Sequence, residues 1–189
     1  MVKTALILVD IQNDYFPKGR MELHKTNIAA SNAKKVLDYF RGKNKTIFFI
    51  QHIFKDPNAP FFAPGTDGIH INEAVKPLED ETVIQKNYPN SFRETSLLSD
   101  LRKAGVEHVV ICGMMSHMCI DATVRAAVDY GFRCTVIEDA CTSPDLTLHG
   151  HRIPATHVHG AFMAALGSLY AAIETVDFFL GKAKTGELV

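Results

Sequence analysis

The 189-residue chain has no surplus of charge of either sign: 20 Lys and Arg stand against 21 Asp and Glu, a formal net charge of −1. No global field therefore draws it to nucleic acid or to an anionic membrane, and a small, neutral or weakly charged molecule is the expected partner. Its four cysteines, Cys112, Cys119, Cys134 and Cys141, are too few and too evenly scattered for a disulfide framework. None forms the Cys-x-x-Cys pair of a zinc ribbon or redox site, and this usage predicts a reducing, cytoplasmic setting. No uncharged apolar run reaches the roughly 18 residues of a membrane span. The run from Thr4 to Val9 is cut off by Asp10, short of a signal-peptide core. Repeats, low-complexity tracts and charge blocks are also missing, as are the Gly-x-Gly-x-x-Gly and Walker loops of nucleotide sites.

What is present is core material. Hydrophobic residues make up 47% and charged residues 22%, and at about 100–200 residues per domain, residues 1–189 read as one domain. Short apolar runs alternate with longer periodic stretches, the βαβ pattern of a mostly parallel sheet covered by helices on both faces. The strands are expected at Ala5–Val9, Thr46–Gln51, Thr82–Gln85, His108–Cys112, Arg133–Glu138 and Ile173–Val176, and the helices near 28–41, 96–104, 118–130 and 155–170. Gly42, Gly105 and Gly131 fall where helix ends want a left-handed residue. Two stretches, Ile53–Asn72 with its three prolines and two glycines and Ala140–Pro154, read as long functional loops.

In open parallel sheets ligands bind beyond the carboxyl ends of the strands, and the residues there are unusual. The first strand ends in Asp10, the third is followed by Lys86, and Cys119 follows the fourth at the start of a helix. Singly, each has a bland reading as a turn residue, a solvated cation and a small buried hydrophobe. Together they complete one mechanism. A helix N-terminus and an adjacent ammonium both favour a thiolate over its thiol. Asp10 would take the thiol proton and pass it to a leaving group, while backbone N–H groups at the helix start hold a developing oxyanion. Cys112 and Cys134 lie inside strand patterns and read as core, and Cys141 is ambiguous.

Three segments carry a resemblance: Leu8-Val9-Asp10-Ile11-Gln12-Asn13-Asp14-Tyr15-Phe16, Lys86 with Ser91-Phe92, and Cys119-Ile-Asp-Ala-Thr-Val-Arg-Ala-Ala. They resemble the isochorismatase-like cysteine hydrolase superfamily, as does Glu138-Asp139-Ala140, from about Ala5 to Leu169. The resemblance implies a Rossmann-like three-layer α/β/α sandwich with a six-stranded parallel sheet, a catalytic triad of Asp10, Lys86 and Cys119, and no cofactor. It also implies a cis Met114–Met115 peptide and an oxyanion hole formed by the N–H groups of Met115 and Cys119. Homodimers or homotetramers are common in such families. Nicotinamidases in the superfamily bind a metal through an Asp-x-His after the second strand. Here that place reads Gln51-His52-Ile53, so no metal is expected. Retention of Cys119 favours hydrolysis of a C–N bond, such as an amide, over the vinyl ether cleavage of isochorismatases.

Other residues are weighed against plainer roles. His149, His151, His157 and His159 could hint at metal, but a two-residue helical spacing turns 157 and 159 to nearly opposite faces. His117, close to Cys119, is expected to line the pocket. Among the aromatics beyond strand ends, Tyr15, Phe16 and Tyr88 are expected to contact substrate, with Phe54, Phe61, Phe62 and Phe92 nearby, which suits a flat or apolar acyl group. A flavodoxin-like binding module of the phospho-receiver kind is the contrasting reading. It needs its phospho-acceptor Asp after the third strand and a Lys after the fifth, and this chain has Lys86 and Asp139 in those places.

Overall fold

A computed structural model describes residues 2–185. Its strands are β1 (Thr4–Val9), β2 (Thr46–His52), β3 (Thr82–Lys86), β4 (His108–Met114), β5 (Arg133–Thr142), β6 (Leu146–Leu148), β7 (His151–Ile153) and β8 (Ala172–Glu174). The helices are α1 (Thr26–Gly42), α2 (Leu97–Lys103), α3 (Asp121–Asp129), α4 (Ala155–Leu169) and α5 (Val176–Thr185). Six strands form one parallel sheet in the order β3-β2-β1-β4-β5-β8, and the helices flank it in a three-layer α/β architecture. On the helical layers α1 packs against α5, and α3 against α4. Every residue from Ala5 to Val9 is at most 2% exposed. That is why the central strands read as unbroken apolar runs: both faces of the sheet are covered. No helix among the described residues is long and apolar enough to cross a membrane.

The six expected strands and four expected helices all form, with boundaries shifted by a few residues. Three differences have local causes. The stretch Ala140–Pro154 is not all loop: β5 runs on to Thr142, and β6 and β7 make a hairpin with Leu148 opposite His151. Its two-residue turn, His149-Gly150, takes φ of 49° and 80°, the left-handed pair a tight hairpin requires. Val176, expected in the last strand, instead opens α5, because Asp139 Oδ1 accepts its N–H at 2.9 Å from the far end of β5. Gly105 and Gly131 take the left-handed turn, but after α1 that turn falls on Asn44 (φ 49°) rather than Gly42, and Asn tolerates it.

Gly113 lies where β4 must press against β1 at the carboxyl end of the sheet. With φ 128°, a Cβ there would sit 2.0 Å from Val9 O. Next to it the β4–β5 register slips, from Ile111 opposite Val136 to Gly113 opposite Cys141, so β5 throws out an extra loop carrying Glu138 and Asp139. At the opposite end of β4, His108 is buried and its Nε2 contacts Thr135 Oγ1 at 2.9 Å. Burial, with Arg133, Lys182 and Lys45 near, lowers its pKa to about 4.

Two outcomes are expected. Gly113→Ala combines strain at positive φ with a backbone clash, and should cost about 3 kcal/mol or more in urea denaturation. A neutral His108 that would protonate near pH 6.5 once unfolded gives stability that is complete above that pH and declines as the pH falls toward 4. Denaturation midpoints measured between pH 7 and 5 should therefore fall less steeply in His108→Gln than in the natural protein.

Candidate active site

Three strand ends deliver the central groups. Asp10 follows β1 with a left-handed φ of 52°, its N–H held by Ile50 O at 3.0 Å. Lys86 ends β3, two strands away, and lies opposite His52 in the β2–β3 register. Strands sit about 4.8 Å apart, so a long side chain is needed to cross β2. Lys86 makes that crossing and places Nζ 2.7 Å from Asp10 Oδ2, with neither side chain exposed. The ammonium also donates to Tyr88 O at 3.1 Å and Pro89 O at 3.0 Å. Beyond the Lys86 ion pair, both Asp10 oxygens are buried without a hydrogen-bond donor among the described residues.

Cys119 comes from a wide turn, Ser116–Ile120, that leads into α3. Met115 O accepts from both Met118 N (3.0 Å) and Ile120 N (3.2 Å), opening the first turn beyond the usual α-helical step. The preceding Met114–Met115 peptide is cis, and the N–H of Met115 makes no hydrogen bond among the described residues. Ser116 Oγ contacts His159 Nδ1 at 2.8 Å, and His117 Nδ1 contacts Ser143 Oγ at 3.1 Å, bracing the turn. Cys119 is 4% exposed.

Charge at this site differs from the sequence expectation in one respect. Burial raises the Cys119 pKa, the Asp10 carboxylate adds to the rise, and Lys86 only partly opposes both. Burial and Asp10 therefore favour the neutral thiol over the thiolate. For Lys86, burial works against the charge, but Asp10 and Cys119 outweigh it and hold the ammonium above its ordinary pKa. A buried thiol thus lies beside an unencumbered carboxylate, with a fixed cation across from both.

The other expected pocket residues divide. Tyr15 is buried against Phe62 (ring centroids 4.6 Å) and Phe61 (5.9 Å). Its hydroxyl pKa is raised, by burial first and then by Cys119, Asp10 and Asp14. Tyr88 contributes its carbonyl to Lys86, while its ring lies under the Arg93 guanidinium, 3.6 Å from the centroid. His117 is half-buried, edge-on to Phe162 at 6.0 Å. Phe16 lines a separate polar cleft of about 410 Å³ with Lys18, Arg20, Thr66 and Asn72, a cleft without Asp10, Lys86 or Cys119 in its wall. Phe92 packs with Tyr130 and Phe132 away from the triad. His157 and His159 share α4 but diverge: His157 is exposed, and His159 meets Ser116.

Three residues escaped the sequence reading. The Gln12 amide accepts from His52 N (2.8 Å) and donates to His52 O (2.9 Å) and Ile69 O (2.8 Å), tying the ends of β1 and β2 to the long loop. The buried Asp14 carboxylate accepts Phe62 N at 2.6 Å and Arg20 N at 3.1 Å. Gly68 covers it so closely that a Cβ would lie 2.1 Å from Asp14 Cγ. The signal is present in the sequence: Gln12 and Asp14 are polar residues lying between buried Ile11 and Tyr15, just after a core strand. The third is His52, buried at the end of β2 with Nδ1 3.3 Å from Lys86 Nζ.

Asp10, His52 and Cys119 each offer a ligand atom within 4.8 Å of the others. A cation does not fit among them, because the Lys86 ammonium already lies against Asp10 and His52 and would repel it.

This doubly wound sandwich, with its chemistry gathered at the carboxyl ends of parallel strands, is an α/β enzyme architecture. Residues 4–164 match the isochorismatase domain, and the chain belongs to the isochorismatase family of hydrolases. It is 52% identical over 177 residues to the isochorismatase family protein YddQ of Bacillus subtilis, covering 94% of this chain and 98% of that protein. The crystal structure of an isochorismatase-like hydrolase from Oleispira antarctica superposes with a TM-score of 0.91 at 42% identity, over 95% of this chain and 96% of that one. Nicotinamidase 3 of Arabidopsis thaliana is 26% identical over 157 residues, 77% of this chain and 76% of that protein.

Replacing Asp14 by Ala would strand two backbone N–H groups and should cost about 2–4 kcal/mol. The effect should localise. Amide exchange of Phe61–Asn72 should accelerate far more than that of β1 or β4.

Proposed function

We propose that this hydrolase cleaves the C–N bond of a small amide through a thioester on Cys119. The observation that carries the reading is the buried Cys119 sulfur within 4.8 Å of an Asp10 carboxylate whose oxygens have no hydrogen-bond donor beyond the Lys86 ion pair. Such a carboxylate is free to accept a proton. As the substrate carbonyl reaches Cys119, the thiol proton passes to Asp10 and the sulfur attacks the carbonyl carbon. Lys86 supports the thiolate. The Met115 and Cys119 N–H groups hold the oxyanion. When the tetrahedral intermediate collapses, the C–N bond breaks and Asp10 returns the proton to the departing amine. Water, deprotonated by Asp10, then attacks the thioester, releasing the acid and restoring the thiol.

Tyr15, with Phe54, Phe61 and Phe62 around it, suits a flat or apolar acyl group, with Tyr88 and His117 nearer the rim. Phe16 lies in the wall of the neighbouring polar cleft. The amide named in the plant nicotinamidase supports the choice of bond. No cofactor enters any step.

The test assays a panel of small amides and isochorismate side by side for ammonia and pyruvate release. Amide turnover is expected, and Cys119→Ala and Asp10→Asn should each lower kcat by about 10³ or more. Pyruvate without ammonia, or full turnover by Cys119→Ala, would sink the reading.

A further inference from the structure

We infer that His52 is a positioning residue of this site: its Nδ1 lone pair holds the Lys86 ammonium through the part of the cycle in which Asp10 is neutral. The inference rests on the thiol mechanism above. An ammonium has three protons, yet four acceptors surround Lys86 Nζ: Tyr88 O, Pro89 O, Asp10 Oδ2 and His52 Nδ1, the last at 3.3 Å. In the resting state the two carbonyls and the carboxylate suffice, and the fourth acceptor is redundant.

The redundancy ends when the reaction starts. The proton leaving the Cys119 sulfur makes Asp10 a neutral acid and Cys119 a thiolate, with no proton gained or lost by the site. The attraction that held Lys86 to Asp10 is then gone, while the charge Lys86 must serve has moved to sulfur. A neutral imidazole beside it supplies an acceptor that does not itself change charge. Ring geometry assigns the tautomer: a proton on Nδ1 would point at an ammonium, so Nε2 carries it. Nε2 is buried with no hydrogen-bond partner among the described residues. A buried donor left unmade costs about 1–3 kcal/mol, so the ring forgoes a bond on one side while presenting its lone pair on the other. Phe54 (centroids 4.5 Å) and Phe62 (6.0 Å) pack on the imidazole and fix that orientation. Burial, the largest influence, lowers the His52 pKa to about 4, Asp10 opposing and Lys86 assisting, so the ring stays neutral across the working range.

The test follows iodoacetamide alkylation at Cys119 by mass spectrometry between pH 6 and 8, with Cys112, Cys134 and Cys141 as internal controls. Transfer of the thiol proton to Asp10 is internal, so the rate should be nearly flat in pH and should report the fraction of thiolate. His52→Leu should react about tenfold more slowly, and His52→Asn, which places an acceptor near the Nδ1 position, should stay within about threefold of the natural protein. Leu reacting at the natural rate, or Asn reacting as slowly as Leu, overturns the inference. If Cys119 of the natural protein reacts no faster than the other three thiols, the thiol mechanism fails instead. A measurement on the unmutated chain guards against a variant that does not fold: ¹⁵N shifts of the His52 ring should show an unprotonated Nδ1, and a protonated Nδ1 overturns the inference.

Discussion

Everything at the carboxyl edge of the sheet answers to one buried ion pair. Lys86 and Asp10 meet at 2.7 Å with no exposure, and two charges withdrawn from water are tolerable only when matched and surrounded by further polar contacts. The fold supplies those contacts almost entirely to the cation, through the carbonyls of Tyr88 and Pro89 and the His52 ring. The carboxylate is left with the cation alone. That asymmetry separates a structural salt bridge from a reactive one. The Asp14 carboxylate has its oxygens engaged by the backbone N–H groups of Phe62 and Arg20, whereas the Asp10 oxygens meet no donor beyond Lys86 and face the neighbouring thiol.

The loops above the pair are organised by side chains from the same short segment as Asp10. Gln12 fastens β2 and Ile69, and Asp14 fastens Phe62 and Arg20. Three polar residues at alternate positions, Asp10, Gln12 and Asp14, therefore divide the work of chemistry, strand alignment and loop anchoring. The aromatic wall of Tyr15, Phe61 and Phe62 is held in place by carboxylate and amide contacts rather than by packing alone.

Much of this was legible in the chain. Unbroken apolar runs mark the strands of the sheet, and Asp10, Lys86 and Cys119 stand at or just beyond their carboxyl ends. What escaped was whatever depended on distance between remote segments. The ionisation of Cys119 could not be read, because the favourable neighbours are visible in sequence while the burial that outweighs them is not. In the sequence His52 figures only as part of a segment that lacks the Asp-x-His metal pattern, since its contact with Lys86 exists only through the β2–β3 register. The start of α5 depends on Asp139, 37 residues earlier, and the β6–β7 turn on a His-Gly pair that carries a weaker signal than Asn-Gly.

The strand order adds a constraint of a different kind. Asp10 and Cys119 belong to the centre of the sheet, but Lys86 is borne by β3, an edge strand paired only with β2, in which Thr82, Val83 and Gln85 are exposed. Edge elements with little cover open at a lower free energy than the core they border. Local fraying of β3 would withdraw the cation and leave the thiol and carboxylate in an intact fold. Catalytic competence is thus a stricter condition than being folded, and its margin is set by the least protected strand.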